Sequence, residues 1–195
     1  MNFLGHIYLS GSSEEIQVGN FIGDYVKGKD YLKYPEKVKK GIILHRDIDN
    51  FTDKHPVFLC SKNHLKHRYN KYSGIIVDIF YDHFLAKDWN YFSRQPLKKI
   101  SYNLFKKLVR NYTILPSRVR KFLPLFIQNN WLHSYTTIEG IESVLSRMTI
   151  RTSLPDETKF AMKKLKNNYY SFREEFYAFF PQIINYVKEK HEIKF

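Results

Sequence analysis

The 195-residue chain has a single cysteine, Cys60. A disulfide within the chain is excluded, and a cysteine-based zinc centre is not expected. Proline and glycine are scarce, at 7 and 8 residues, which argues against a loop-dominated or β-sandwich protein. No window offers about 18 uninterrupted apolar residues, so no membrane-spanning helix is expected. The opening Met1-Asn2-Phe3-Leu4-Gly5-His6 has no basic region followed by a long apolar run. It does not read as a secretory signal, and a cytoplasmic protein is the expectation. Acidic residues are missing from residues 89–138, a stretch that carries Arg94, Lys98, Lys99, Lys106, Lys107, Arg110, Arg118, Arg120 and Lys121.

What is present is a core. Hydrophobic residues make up 43% and aromatics 17%, far above what a disordered chain carries. One domain over residues 1–195 is expected from the length. The net charge of +13 creates a field that attracts polyanions, whether nucleic acid, anionic lipid or an acidic protein. Compositional drift toward Lys, Asn, Ile, Tyr and Phe accounts for the charge equally well.

Spacing is helical almost throughout, and no strand pattern or repeat occurs. Ser12 and Glu15 have capping-box spacing and open a helix that stops near Gly28. Pro35 suits the first turn of a helix that continues to about Phe51. Further helices are expected over 56–73, 75–92 and 97–111, with a short one bracketed by Pro116 and Pro124. Thr136 and Glu139 form a second capping box. A long helix from about Pro155 should run to Phe179, break at Pro181, and resume to His191. The expected class is an all-α, single-domain helical bundle.

Two clusters carry candidate chemistry. His45 and Asp49 lie four apart and share a helix face, which Asp53 extends if the helix continues. Asp78 and Asp82 are also four apart, on a helix that is otherwise strongly apolar, with His83 beside them. Carboxylates at the border of an apolar face are costly unless paired or bound to metal. Hydrogen-bonded core histidines and salt bridges to Arg46 or Arg68 are the competing reading. With His6 and Asp24, the set offers nitrogen and oxygen ligands suited to manganese, magnesium, iron or zinc. A divalent metal there would activate water and neutralise phosphoryl oxygens, and Arg46 could hold a phosphate oxygen. These parts fit phosphoester hydrolysis without naming the substrate. No phosphate loop of the GxxxxGK[ST] type is present.

The chain resembles the acyl carrier protein phosphodiesterases at Met1–His6, Gly19-Asn20-Phe21-Ile22-Gly23-Asp24 and Gly41-Ile42-Ile43-Leu44-His45-Arg46. The likeness continues through residues 48–56 and 74–86, and later through Asn130-Trp131-Leu132, Gly140-Ile141, Arg147 and Arg151. That resemblance implies an all-helical, HD-like phosphohydrolase architecture. It implies hydrolysis of holo-acyl carrier protein to the apo form and 4'-phosphopantetheine, with manganese as the usual metal. Carried over, it makes Asp24, His45, Asp78, Asp82 and His83 the metal or catalytic candidates. Arg46, Asp49 and Asp53 follow as phosphate contacts or outer-shell groups, and His6 after them. An acidic carrier protein would then explain the basic charge. Nucleotide or other small phosphoester hydrolysis is the alternative enzyme reading. A non-catalytic nucleic-acid binder is the alternative of a different class, and it leaves the spaced His and Asp residues unexplained.

Overall fold

The computed structural model describes residues 1–195, apart from the side chain of Arg151, a position of the family likeness whose side chain lies outside the description. Among the described residues there is no strand. The α-helices are α1 (Phe3–Leu9), α2 (Glu14–Ile22), α3 (Glu36–Lys54), α4 (Pro56–Asn63), α5 (Lys66–Tyr69), α6 (Ser73–Lys87) and α7 (Trp89–Phe92). They continue with α8 (Leu97–Arg110), α9 (Ser117–Gln128), α10 (Trp131–Ser134), α11 (Ile138–Arg151), α12 (Thr158–Asn167) and α13 (Tyr169–His191). The all-α class expected from the sequence is the class observed.

Helix α6 is the axis of the bundle. Residues around its whole circumference, from Ile76 to Ala86, are buried, with Asp78 the only partial exception. A helix apolar on all sides belongs inside a core rather than on a surface. Helices α1, α4, α11 and α13 pack against it, and the buried hydrophobic residues form one continuous cluster.

Helices α2 and α3 pack most closely of all. A Cβ on Gly19 would lie 2.0 Å from the Val38 carbonyl oxygen, and one on Gly41 would lie 2.3 Å from that of Ile16. Only glycine allows the two backbones to approach this far. This contact sets the spacing between the two helices that carry Asn20 and His45.

Several boundaries differ from the sequence reading. The N-terminal segment is itself a helix, α1, capped by the Asn2 side chain, which accepts from the Phe3 N–H. Helix α2 starts one residue later than the Ser12 cap implies, with Ser13 as its N-cap, and it ends at Ile22 in a 3-10 turn over Gly23–Tyr25. Thr137 rather than Thr136 caps α11, its hydroxyl accepting from the Gly140 N–H at 3.0 Å. The expected helix over 56–73 is split into α4 and α5. Pro124 and Pro181 lie inside α9 and α13 and end neither. Around Pro181 the buried Phe179, Phe180 and Ile183 hold the helix in place despite the missing N–H. The break falls instead at Asn168, whose side-chain amide donates to the Lys164 carbonyl and closes α12.

Candidate active site

The bundle opens in a cleft of about 950 Å³, walled by α1, α2, α3, α6, α9 and α11. Four residues from three segments meet at its floor. His6 comes from α1, Asp24 from the 3-10 turn after α2, and His45 and Asp49 from successive turns of α3. The imidazoles of His6 and His45 stack, with centroids 4.1 Å apart and planes 18° from parallel. Gly23 makes room for this, since a Cβ there would lie 2.2 Å from His45 Cγ.

Asn20 orients both rings. Its amide nitrogen donates to the His6 carbonyl at 3.0 Å and to Ser10 Oγ at 2.8 Å. The carbonyl is an unambiguous acceptor, so the amide orientation is determined. Asn20 Oδ1 then accepts from Nδ1 of His6 at 2.8 Å and from Nδ1 of His45 at 3.1 Å. Both imidazoles therefore carry hydrogen on Nδ1 and present Nε2 to the cleft. His6 Nε2 faces Asp49 Oδ1 at 3.2 Å. His45 Nε2 faces Asp49 Oδ2 at 3.2 Å and Asp24 Oδ1 at 3.3 Å.

Such a convergence of lone pairs and carboxylate oxygens is stable only around positive charge. Burial works against a charged His45, but Asp24 and Asp49 outweigh it and raise its pKa to about 9. Burial, with the neighbouring His45, lowers His6 to about 4. Asp49 is desolvated, yet the two imidazoles hold its pKa below the usual range. The contact with His45 does the same for Asp24. His45 Nε2 is buried and makes no well-aligned hydrogen bond. His6, His45 and Asp49 each offer a ligand atom, all within 4.8 Å of one another. These donors fit a divalent cation in place of the proton: two neutral imidazoles and hard carboxylates. Asn20 matches the outer-shell partner that metal-binding histidines ordinarily have on their second nitrogen.

The other sequence candidates are distributed differently. Asp53, on the last turn of α3, lines the same cleft, as does Asp78. Asp78 accepts from the Met1 α-amine at 2.7 Å, and burial raises its pKa to about 6. Asp82 and His83 do not line the cleft. Fully buried, Asp82 accepts from the N–H groups of Leu4 at 2.7 Å and Gly5 at 3.0 Å. It thus caps the first turn of α1, one turn before His6. His83 donates from Nδ1 to the Tyr135 carbonyl at 2.7 Å and accepts the Tyr169 hydroxyl at Nε2, 2.9 Å away. Both of its ring nitrogens are engaged inside the bundle. Arg46 points away from the cleft; its guanidinium donates to the carbonyls of Val26 and Gly28, each at 2.9 Å, and lies over the Tyr31 ring.

Sequence reasoning ranked His6 last and missed Asn20. The available signal for Asn20 was a polar side chain inside Val18-Gly19-Asn20-Phe21-Ile22, where burial demands hydrogen bonds.

Above the floor the cleft changes character. Phe122, Trp131 and Met148 give it an apolar wall, while Lys62, Lys71, Arg118 and Lys121 stand among the lining residues. The cleft therefore combines a floor of His and Asp side chains with walls that are partly apolar and partly basic.

Fold and site together define an all-helical protein with a nitrogen- and oxygen-donor centre at the base of a basic cleft. The chain belongs to the acyl carrier protein phosphodiesterase family, whose pattern it matches over residues 1–183. It is 29% identical over 188 residues to acyl carrier protein phosphodiesterases of Salmonella agona, Salmonella dublin and Salmonella newport. Those alignments cover 94% of this chain and 96% of each relative. No solved structure matches it significantly.

Proposed function

We propose that this chain hydrolyses the phosphodiester of holo-acyl carrier protein, releasing 4'-phosphopantetheine and the apo-protein, with a divalent cation at the cleft floor. The observation that carries the reading is the pair of Asn20-oriented imidazoles converging on Asp49. Family membership supplies the substrate. His6, His45, Asp49 and Asp24 would hold the cation, and manganese fits this nitrogen and oxygen set. When bound, it supplies Lewis acidity to a phosphoryl oxygen and makes water a better nucleophile near neutral pH.

The chain's own residues do the rest. Asn20 keeps both Nε2 atoms turned to the cleft. Arg118 and Lys121 attract and orient the phosphate and the acidic carrier protein. The apolar wall receives the less polar part of the pantetheine arm. Asp53, one turn beyond Asp49 on α3 and lining the same cleft, would take a proton from the attacking water and pass it to the departing serine oxygen. Helices bringing His and Asp pairs to one cleft also support kinship with HD-type phosphohydrolases. We place the enzyme in the cytoplasm, working as one domain; no helix among the described residues is long and apolar enough to cross a membrane.

The test is incubation with holo-acyl carrier protein, with and without manganese, read by intact mass. Metal-dependent loss of the phosphopantetheine mass, absent in His45→Ala, supports the reading. An unchanged carrier protein with a folded, metal-loaded enzyme refutes the substrate assignment and turns attention to nucleotides.

A further inference from the structure

On the flank of the bundle away from the cleft-floor histidines, α4 and α13 bring together a second set of ligand-type side chains. Cys60 and His64 are four residues apart, the first on α4 and the second at its C-terminal cap. Glu175 faces them from α13. One ligand atom from each of Cys60, His64 and Glu175 lies within 4.8 Å of the others. His64 Nε2 is 3.3 Å from Glu175 Oε1. None of the three lines the active-site cleft.

The surroundings are organised around this trio. Ser61 Oγ donates to Glu175 Oε2, and the Tyr81 hydroxyl donates to Ser61 Oγ at 2.7 Å. Ser61 and Tyr81 are buried, so the carboxylate is held from behind by a relay that fixes its orientation. The His64 ring packs edge-on against Phe172, with centroids 5.0 Å apart. In front lies a separate depression of about 460 Å³, whose lining includes Cys60, His64 and His67. The single thiol that counted against a thiolate-rich centre is therefore not isolated in space.

We propose that Cys60, His64 and Glu175 form a second divalent-metal site, distinct from the cleft and selective for a borderline-soft ion such as zinc. One thiolate, one imidazole and one carboxylate form a donor set common at three-ligand zinc sites, with the fourth position left open to the depression. The thiol proton leaves to solvent as the metal takes its place. The Tyr81–Ser61–Glu175 relay plays the part of the outer-shell partners that orient metal-binding carboxylates. Because the ligands come from α4 and α13, occupancy would add a metal link between two helices already joined by packing and by the His64–Glu175 and Ser61–Glu175 contacts.

Cys60 is the only cysteine, which makes the test specific. Metal-free protein is titrated with cobalt(II), and thiolate-to-cobalt charge transfer is followed in the near ultraviolet. The cleft cannot contribute to that band, since it holds no sulfur donor from cysteine. The expected result is a band of the intensity of one thiolate-bound cobalt per chain, complete by two cobalt equivalents, displaced by zinc and persisting in His45→Ala. It disappears in Cys60→Ser, a change at an exposed position that leaves phosphodiesterase turnover intact. His64→Ala and Glu175→Gln should each weaken the site by at least about tenfold. Either of two results overturns the proposal: no charge-transfer band when the cleft is saturated, or a band of unchanged affinity in both His64→Ala and Glu175→Gln. The first denies the site, and the second reduces it to a lone thiol.

Discussion

Helices α3 and α6 carry almost the same chemical alphabet and put it to different use. Each has aspartates spaced four apart and a histidine nearby, and each lies in the likeness to the family. On α3, His45 and Asp49 face the cleft and meet His6 and Asp24. On α6, Asp82 and His83 turn inward, where backbone groups and Tyr169 use all their polar atoms. The difference lies in what surrounds the helix. One side of α3 remains open to solvent, whereas α6 opens to the cleft only near its N-terminal end, at Ile75 and Asp78, and is enclosed from Ile79 to Ala86. An identical carboxylate faces two imidazoles across a cleft in the first setting and caps a helix in the second.

The sharpest way to break this comparison is Asp82→Ala. It strands the buried Leu4 and Gly5 N–H groups, each at a cost of roughly 1–3 kcal/mol. The urea midpoint should fall markedly, and α1 and His6 should loosen with it. If stability is unchanged while activity is lost, Asp82 belongs to the chemistry rather than to the scaffold. A pH series sharpens the point. Burial raises the Asp82 pKa from 3.8 to about 7, against the pull of the Met1 amine and two N–H donors. The folded chain then keeps this proton to higher pH than the unfolded chain does. The associated stability is complete below about pH 4 and is lost as pH rises through 7. Asp82→Asn should flatten that part of the curve relative to wild type, as seen in denaturation midpoints from pH 4 to 8.

His45→Ala makes the opposite prediction. Turnover should fall by more than about 100-fold, beyond the cost of losing an outer-shell partner, while the melting temperature changes little. Asn20→Ala separates orientation from ligation. Both Nδ1 positions lose their acceptor, so metal affinity should drop by about 10–100-fold in a manganese titration, with the ligands themselves intact. The smallest effect is expected at the rim. Removing Arg118 and Lys121 should raise KM a few-fold and flatten its dependence on salt, since rim charges act mainly on encounter. A salt-insensitive KM in the wild type would remove the electrostatic role from these residues.

Much of this was legible in the chain. Apolar periodicity and the lack of strand signals pointed to an all-α bundle. The i, i+4 pair His45/Asp49 marked the α3 face, because neighbours on a helix surface are set by local geometry alone. Helix ends were less legible. Pro181 reads as a break, but the packing of Phe179, Phe180 and Ile183 outweighs one missing hydrogen bond. The α1 helix was overlooked because a seven-residue helix has little periodicity, and part of its cap comes from Asp82, 77 residues away from Gly5.

By itself, then, the sequence determined the helical class, the positive field, the absence of a disulfide framework, and the His45/Asp49 pair on one face of α3. These follow from composition and from spacings shorter than two helical turns. Tertiary structure alone decided that His6 joins the centre, that Asn20 orients it, that Asp82 and His83 serve the interior, and that Cys60 meets Glu175 across 115 positions. Each of those outcomes depends on which faces of distant helices are brought together and sealed from water, and no local spacing encodes that.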